Sequence, residues 1–519
     1  MTQRVSPLDA TFLYAERAST ALHVGGVLTF GPPTGGAFDV AAFTELVGRR
    51  VALVPRLRQT VRAVPGRLGG PVWVDDGRFD LAYHVRHLAL PAPGTDAELR
   101  ELVGALLETP LDRTRPLWEV CVVEGLTDGR TALVAKIHHA LADGVACMRL
   151  GAVLLDATAE VRDLPAGLLG GDPDGAPGDD WRPAPAPSDV ALAVGAALRA
   201  VTGGGATLGA AFGATVAAAL SATGSLPAPG SLPRPAALGR TAESLLAGAL
   251  AGAVRAAGPA PVPALRVATG PRRRFGTLRS TLADHRTVRR AHGGTVNDVV
   301  LAVVAGGLRR WLAGRGQEPS PEVHVRALVP VSLRGRDRGT GTGNGISAHL
   351  VDLPVGLDDP LERLARVRAA MDERKRRGPV PVDVLSALAG AAPPALHELG
   401  ARLAGRHAGR LYDVLVSNVP GPPRPLYARG APLLDLFPAV PLGAGQAVAV
   451  GVASYAGGLH YGITADGDAV PDVDDLAAAL EEALAELVVR SPRPAPPASP
   501  APVVEVAVPA HGTAGLAAV

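Results

Sequence analysis

Short apolar runs bounded by glycine or polar residues occur in two separate blocks of the chain. Such runs are typical of buried strands. They cover residues 21–30 and 132–139 in the first block and residues 323–333, 345–353, 413–419 and 447–466 in the second. The last run is long enough for two strands, and Gly457-Gly458 near its middle predicts a hairpin turn.

Helical periodicity separates these predicted strands. The predicted helices are 97–112, which stops near Pro110, 145–157, 295–314 and 361–377. Asn297 or Asp298 stands near the start of one of them, where an oxygen side chain can cap unpaired N–H groups. Strands interleaved with helices in two blocks predict an α/β fold with mixed sheets, built as two halves.

Composition divides the chain into four regions. We expect an N-terminal half at 1–165, an Ala/Gly/Pro-rich linker with helices at 166–270, a C-terminal half at 271–490 and a disordered tail at 491–519. Within the linker, residues 206–222 indicate either a membrane-seeking segment or an Ala-rich helix crossing between domains. A membrane span needs about 20 strongly apolar residues, which favours the crossing helix.

Charge and cysteine content narrow the function classes. The 519 residues carry a formal charge of +2, which gives no electrostatic footprint for nucleic acid. Cys121 and Cys147 do not make a disulfide framework, so a reducing, cytoplasmic setting is the simpler interpretation. Residues 1–16 lack an apolar stretch of the signal-peptide kind, and we therefore expect no signal peptide.

The candidate chemistry lies in "KIHHALADGVA", residues 136–146. A strand ending at His139 points His138 and His139 to opposite faces, so only one ring enters a given cavity. Asp143 follows at the corner between strand and helix, where its carboxylate can hold local geometry. Gly144 allows close backbone approach or a positive φ. Unperturbed histidine has a pKa of about 6.5, so the pattern suits a general base; chance HxxxD matches are common, and a purely structural role is the alternative.

Other chemistries lack their required residues. Adjacent histidines diverge, and neither CxxC nor HExxH occurs, so no metal site is predicted. No G-x-S-x-G elbow is present, and the absence of any Gly-Lys pair excludes a P-loop.

Six ordered motifs resemble the bacterial wax ester synthase/diacylglycerol acyltransferases, which are CoA-dependent acyltransferases with an HHxxxDG signature. They are "HHALADG" (138–144), "RPLWEV" (115–120), "GGTVNDVVLAVVAGGLRR" (293–310), the strand pair "ALVPVSLRG" and "GTGNGISAHLVDLP", "SNVPGPPRPLYARGAPL" and "SYAGGLHYGITADGDAVPD". The resemblance implies two chloramphenicol-acetyltransferase-like halves forming a pseudo-dimer, with one active site in a central channel between them.

The resemblance also implies roles for single residues. His139 would deprotonate the acceptor alcohol, Asp143 would orient the loop and ring, and His138 would support that geometry. Asn297 is a candidate oxyanion donor or, like Asp298, a helix cap. The remaining candidates for the substrate channel are Pro116, Leu117, Trp118, Asn418, Pro420 and Gly421, for which strand-edge packing or a rigid turn is the alternative. Arg334 and Arg336 are candidates for contact with CoA phosphates or for pairing with Asp143, and a solvated surface position is the default for both.

The function implied is transfer of a long-chain acyl group from acyl-CoA to diacylglycerol, giving triacylglycerol, and possible extension to long-chain alcohols, giving wax esters. No cofactor beyond acyl-CoA as co-substrate is implied. Because both substrates are lipids, we expect a cytoplasmic protein bound peripherally to membranes or lipid droplets. The alternatives are a condensation-type domain acting on carrier-protein thioesters and a non-catalytic lipid-binding protein.

Overall fold

The computed structural model describes residues 3–33, 36–142, 144–161, 182–202, 262–332, 346–377 and 394–492. Asp143, Arg334 and Arg336, the segment 206–222 and the tail beyond residue 492 lie outside the described residues. The helices are Pro7–Ala15 (α1), Val40–Val51 (α2), Leu81–His84 (α3), Asp96–Glu108 (α4), Gly144–Leu154 (α5), Asp189–Thr202 (α6), Leu282–His292 (α7), Val296–Gly314 (α8), Pro360–Arg377 (α9), Pro394–His407 (α10) and Val473–Val489 (α11).

The strands form two larger sheets and one small one. They are Gln3–Arg4 (β1), His23–Phe30 (β2), Gln59–Arg62 (β3), Val72–Asp75 (β4), Val85–Ala89 (β5), Trp118–Glu124 (β6), Thr131–His138 (β7), Arg273–Thr281 (β8), Val325–Ser332 (β9), Ile346–Leu353 (β10), Val414–Pro420 (β11), Tyr427–Ala428 (β12), Ala431–Ala439 (β13), Val448–Tyr455 (β14) and Gly458–Asp466 (β15). Both six-stranded sheets are mixed, which confirms the predicted fold class of mixed α/β layers in two halves.

The first sheet runs β12-β13-β2-β7-β6-β5, with β7 near its centre. β7 pairs antiparallel with β2 on one side and β6 on the other, and it places His138 opposite His23. Leu133 and Val134 are 5% and 2% exposed, as expected for a strand covered on both faces. The end of β7 is therefore held rigidly by two neighbours.

The second sheet runs β10-β9-β11-β14-β15-β8. Helix α8 packs on it and is buried from Asp298 to Leu308, because its side chains are apolar on every face. Gly306 and Gly307 let α11 approach closely: a Cβ on Gly307 would lie 2.5 Å from Leu480 Cδ1. This packing holds the middle of α8 against α11.

One strand crosses between the halves. β13 follows β11 and β12 in sequence, yet it joins the first sheet and pairs with β2, where Leu436 lies opposite Leu28. The contiguous halves expected at 1–165 and 271–490 therefore share a sheet. Asp435 on β13 strengthens the junction by accepting a hydrogen bond from the Thr29 hydroxyl (2.6 Å) and two from Arg279 of β8 (2.9 Å each).

The predicted hairpin at 447–466 exists, but its turn is one residue earlier than expected. Tyr455 pairs with Gly458, so Ala456 and Gly457 form the two-residue loop. Both have a positive φ, +44° and +91°, as the tight loop between two twisted strands requires. Ala456 gives no local signal for that conformation, and the prediction of Gly457-Gly458 was wrong for this reason.

Helix α6 lies in the predicted linker range. One of its faces packs on the protein, and another exposes apolar side chains. Leu192 and Ala196 of α6 pack on Val64, Val72 and Val74 beside the small sheet β1-β4-β3. On the same helix Val190 and Val194 are 72% and 59% exposed. Within the described residues, no helix combines the length and apolar character needed to cross a membrane.

Candidate active site

The two adjacent histidines stand at the end of β7, with their backbone bound on both sides. The His138 N–H donates to the Leu117 carbonyl (3.0 Å), and the His139 N–H donates to the Leu22 carbonyl (2.9 Å). The Leu141 N–H then bonds the His138 carbonyl (2.8 Å), which starts the turn toward α5. The backbone of the motif is thus tied to strands on either side.

His138 is buried and its ring orientation is fixed. The Ala140 N–H donates to Nδ1 at 3.0 Å, so Nδ1 is an acceptor and the proton of the neutral ring is on Nε2. Nε2 lies 3.4 Å from Oε1 of Glu16. His138 therefore faces away from solvent, toward a carboxylate, as a supporting group would.

Glu16 is a site residue that sequence reasoning missed. Helix α1 ends at Ala15, and the Glu16 carboxylate accepts from the Leu22 N–H (3.0 Å) and from Arg113 Nε and Nη2 (2.9 and 2.6 Å). Burial alone raises the pKa of this carboxyl, but the His138 ring, Arg113 and the Leu22 N–H outweigh burial and lower it from 4.5 to about 2. Glu16 is thus a fixed anion below the motif.

His139 is only partly buried, unlike His138, as the alternation of a strand end predicts. Its ring stacks on Phe12 of α1, with centroids 4.1 Å apart and an angle of 13° between the planes. Phe12 and Glu16 lie one helical turn apart, so one side of α1 contacts both histidines. Phe12 was also missed, because its partner is far away in sequence.

Lys136 anchors the strand that carries the histidines. Its side chain is 2% exposed, and Nζ donates to the carbonyls of Leu106 and Thr109 (3.0 Å each) at the C-terminal end of α4. The cation also lies 3.4 Å from Glu119 Oε2. A lysine at this position satisfies helix-end carbonyls that would otherwise lack partners.

Gly144 begins α5 and brings it against the second half of the chain. A Cβ on Gly144 would lie 3.1 Å from Val419 Cγ2 of β11. The absence of a side chain therefore permits close approach, which was one of the two predicted reasons for glycine. The corner after His139 thus meets β11 directly.

The structure brings together Asn297 and Asn418, which are 121 positions apart. The Asn418 side-chain NH₂ donates to Asn297 Oδ1 at 3.2 Å, and both residues are half-buried. Asn418 precedes Val419, the residue that contacts Gly144. The amide pair therefore lies on the second half, beside the corner formed by the first.

The cap of α8 is Thr295 rather than Asn297 or Asp298. The Thr295 hydroxyl accepts from the Asp298 N–H (3.2 Å), and Asp298 Oδ2 accepts from the Thr295 N–H (2.7 Å). This reciprocal pair is a capping box. Asp298 is thus a structural residue, and Asn297, the second residue of the helix, is left to contact Asn418.

Leu117 and Trp118 pack in the core of the first half. Leu117 is fully buried, and the Trp118 indole donates to the Leu57 carbonyl (2.7 Å) while stacking on His84 (centroids 4.5 Å). Pro116 is buried as well. These contacts are those of strand-edge packing, and the Leu117 carbonyl supports the motif through its bond to His138.

Pro420 ends β11, and Gly421 follows it. Pro420 is exposed, and the Gly421 N–H donates to the Ser454 hydroxyl (3.2 Å). A Cβ on Gly421 would lie 2.2 Å from the Ser454 carbonyl oxygen and 3.0 Å from Met148 Cε of α5. Glycine is thus required where the second half touches α5, which is the role of a rigid turn.

Among the described residues, no group of three or more His, Cys, Asp or Glu side chains is arranged to hold a metal ion.

Comparisons with known proteins show which proteins the chain resembles over its length. Residues 5–300 match the model of the wax ester synthase/diacylglycerol acyltransferase catalytic domain, and residues 342–488 match the WS/DGAT C-terminal domain. A probable diacylglycerol O-acyltransferase of Mycobacterium tuberculosis, tgs1, is 33% identical over 495 residues, covering 94% of this chain and 96% of that protein.

Two solved structures place the fold. The wax ester synthase/diacylglycerol acyltransferase of Marinobacter aquaeolei VT8 superimposes with a TM-score of 0.64 at 28% identity, covering 94% of this chain and 99% of that one. The first condensation domain of the calcium-dependent antibiotic synthetase gives a TM-score of 0.51 at 17% identity, covering 94% and 96%. The second likeness is one of fold alone.

Proposed function

This chain belongs to the wax ester synthase/diacylglycerol acyltransferase family, and on that premise we propose that it moves a long-chain acyl group from acyl-CoA to the hydroxyl of diacylglycerol. The product is triacylglycerol, and long-chain alcohols are further acceptors that yield wax esters. No cofactor is used beyond acyl-CoA, which is a co-substrate.

His139 is the general base of this proposal. Its imidazole takes the proton of the acceptor hydroxyl while the oxygen attacks the thioester carbonyl. The tetrahedral oxyanion then collapses, the carbon–sulfur bond breaks, and the CoA thiolate leaves with the proton returned by His139. A positioned base of this kind contributes roughly 10²–10⁴-fold. The stacking of the ring on Phe12 supports the assignment, because it fixes the plane of the imidazole.

His138, Glu16 and Asp143 have supporting roles in this proposal. Nδ1 of His138 accepts a hydrogen bond from the Ala140 N–H, and the Glu16 carboxylate lies beside Nε2 on the other edge of the ring. Asp143 orients the corner and the ring of His139 without taking a proton. None of the three bonds to the substrate in this mechanism.

Asn297 supplies the oxyanion donor. Its Oδ1 accepts from Asn418, which turns the Asn297 NH₂ away from that partner. The amide also stands in the first turn of α8, where the helix dipole favours negative charge. A donor of this kind typically lowers the barrier by about 3–4 kcal/mol.

The contact between Gly144 and β11 carries the proposal. It joins the corner that follows His139 to the strand that bears Asn418, so the base of one half and the Asn297 amide of the other, which Asn418 holds, stand on elements that meet at this contact. An acyltransferase of this type needs such a pairing of base and oxyanion donor around one carbonyl.

An acceptor competition tests the reaction. Labelled palmitoyl-CoA is supplied with diacylglycerol and hexadecanol together, and the esters are separated and counted. Labelled triacylglycerol is the expected main product. Ester formed only when the acyl group is on a carrier protein would assign the chain to condensation chemistry, and lipid binding without turnover would make it a non-catalytic lipid-binding protein.

Lipid substrates require access to a lipid surface, and we assign a cytoplasmic protein that binds membranes or lipid droplets peripherally. Val190 and Val194 support this, since they expose apolar surface one turn apart on α6. The double variant Val190→Ser/Val194→Ser is expected to sediment less with phosphatidylglycerol vesicles than the native protein. Equal sedimentation of the two proteins would show that α6 does not contact the lipid surface.

A further inference from the structure

A cleft of about 510 Å³ lies beside α1, between the two halves of the chain. Its volume is within the range of roughly 300–1,000 Å³ found for small-molecule sites. Five arginines line it, together with two glutamates; the arginines are Arg17, Arg67, Arg113, Arg402 and Arg406, and the glutamates are Glu16 and Glu398. The cleft therefore carries a surplus of positive charge.

The glutamates neutralise only part of this charge. Glu398 pairs with Arg67 (3.2 Å) and Arg402 (2.5 Å), and Glu16 pairs with Arg113 (2.6 Å). Among the described residues, Arg17 and Arg406 have no carboxylate partner; Arg17 Nη2 donates only to the Arg402 carbonyl, at 3.4 Å. Burial, followed by repulsion from Arg406, lowers the pKa of Arg17.

The arginines come from both halves. Arg17 follows α1 of the first half, whereas Arg402 and Arg406 stand one turn apart on α10 of the second. Helices α1 and α10 are in contact, since Thr11 Oγ1 lies 2.9 Å from His397 Nε2. An anion between Arg17 and Arg406 would relieve a repulsion that the fold leaves uncompensated.

We propose that this cleft binds the phosphate groups of the CoA moiety of acyl-CoA. Guanidinium groups bind phosphate oxygens in a bidentate manner, and a concave site with several of them suits a polyphosphate. Leu13, Tyr14 and Val64 give the cleft an apolar side against which the nucleotide base packs.

The position of the cleft suits a thioester that reaches the catalytic strand. Glu16 lines the cleft, and its Oε1 lies 3.4 Å from Nε2 of His138. His138 directly precedes His139 in the sequence. Glu16 thus borders both the proposed phosphate site and the histidine pair, and the flexible arm of CoA would span the distance between them. The inference rests on the proposed function, since it assigns the site of its acyl donor.

Substrate discrimination tests the assignment. The kcat/KM for palmitoyl-CoA is divided by that for palmitoyl-N-acetylcysteamine, a thioester without phosphates. Hydrogen bonds to a charged group contribute about 1.5–3 kcal/mol, so Arg17→Gln and Arg406→Gln should each lower this ratio about tenfold. Arg17→Lys keeps the charge and should recover part of the ratio, and Arg272→Gln, an exposed arginine outside the cleft, is the matched control. A native ratio in both cleft variants would overturn the proposal.

Direct binding separates this inference from the reaction itself. Calorimetry with free CoA needs no turnover and can use His139→Ala as well as the native chain. The double variant Arg17→Gln/Arg406→Gln should bind CoA at least tenfold more weakly, and the native chain should bind CoA more tightly than dephospho-CoA. If the native chain binds CoA in this way but makes no ester, the proposed function fails and the CoA site stands. If the double variant binds CoA normally and loses only its binding to phosphatidylglycerol vesicles, the cleft recognises lipid headgroups and the inference is wrong.

Discussion

Nε2 of His138 lies 3.4 Å from Oε1 of Glu16, and both side chains are buried, at 0% and 5% exposure. The contact joins the first helix of the chain to the end of β7. It places a fixed anion directly behind the corner that follows His139, and it makes the stability of that corner dependent on pH.

The first prediction concerns Glu16→Gln. The pKa of Glu16 is about 2 in the folded protein, against 4.5 for an unperturbed glutamate, so its carboxylate stabilises the fold above pH 4.5. That stabilisation, about 3 kcal/mol, is lost as the pH falls from 4.5 toward 2. Urea unfolding should therefore show a large difference between native and Glu16→Gln at pH 7 and a smaller one at pH 3. A difference of the same size at both pH values would refute the ionised state of Glu16.

The second prediction separates Asn297 from its neighbour Asp298. Asn297→Ala should lower kcat about 100-fold with little change in Tm, because one oxyanion donor is removed. Asn418→Ala should lower kcat less, since it only frees the Asn297 amide to rotate. Asp298→Ala should lower Tm with a smaller effect on kcat, because it removes half of a capping box. Steady-state kinetics and thermal melts of the three variants check this. An unchanged kcat in Asn297→Ala would exclude the Asn297 amide as the oxyanion donor.

The third prediction concerns the close approach of α5 and β11. Gly144→Ala places a methyl group 3.1 Å from Val419 Cγ2 and should lower both kcat and Tm. The double variant Gly144→Ala/Val419→Ala makes room for that methyl group, and most of the lost activity should return. If the double variant is as impaired as Gly144→Ala, the crowding against Val419 is not the cause.

The fourth prediction concerns Asp435, which links β13 to both sheets. Burial raises the pKa of this carboxyl, but His460, Arg279 and Thr29 outweigh burial and hold the pKa well below its usual range. Asp435→Asn should lower the free energy of unfolding by about 2 kcal/mol, because the largely buried carboxylate that accepts from Thr29 and Arg279 is replaced by a neutral amide. The control Asp468→Asn breaks an exposed pair with Arg272 and should cost under about 0.5 kcal/mol. An equal loss of unfolding free energy in the two variants would show that Asp435 does not stabilise the junction between β13 and the two sheets.

Local pattern predicted most of the elements that hold the site. The strands at 21–30, 132–139 and 413–419 and the helix at 295–314 were predicted within one or two residues. The strands are short apolar runs with clear ends, and the helix carries a capping signal and a long apolar stretch. Strand β13 was missed. Its run is interrupted by Asp435 and flanked by prolines, and its contact with Thr29 spans 406 positions.

The candidate site follows the same division. The histidine pair and Gly144 were visible because they are contiguous. The contacts of Phe12, Glu16 and Asn418 form only when elements that are distant in sequence pack together. No local sequence pattern predicts them. The acidic residue that closes the apolar run "FLYA" was the one available hint to Glu16.

The most direct test of the account is the turnover of His139→Ala with palmitoyl-CoA and diacylglycerol, measured beside its Tm. We predict at least a 100-fold loss of kcat at an unchanged Tm, because a partly buried ring at a strand end contributes chemistry rather than core packing. Ester synthesis at the native rate by this variant would contradict the assignment of His139 as the base.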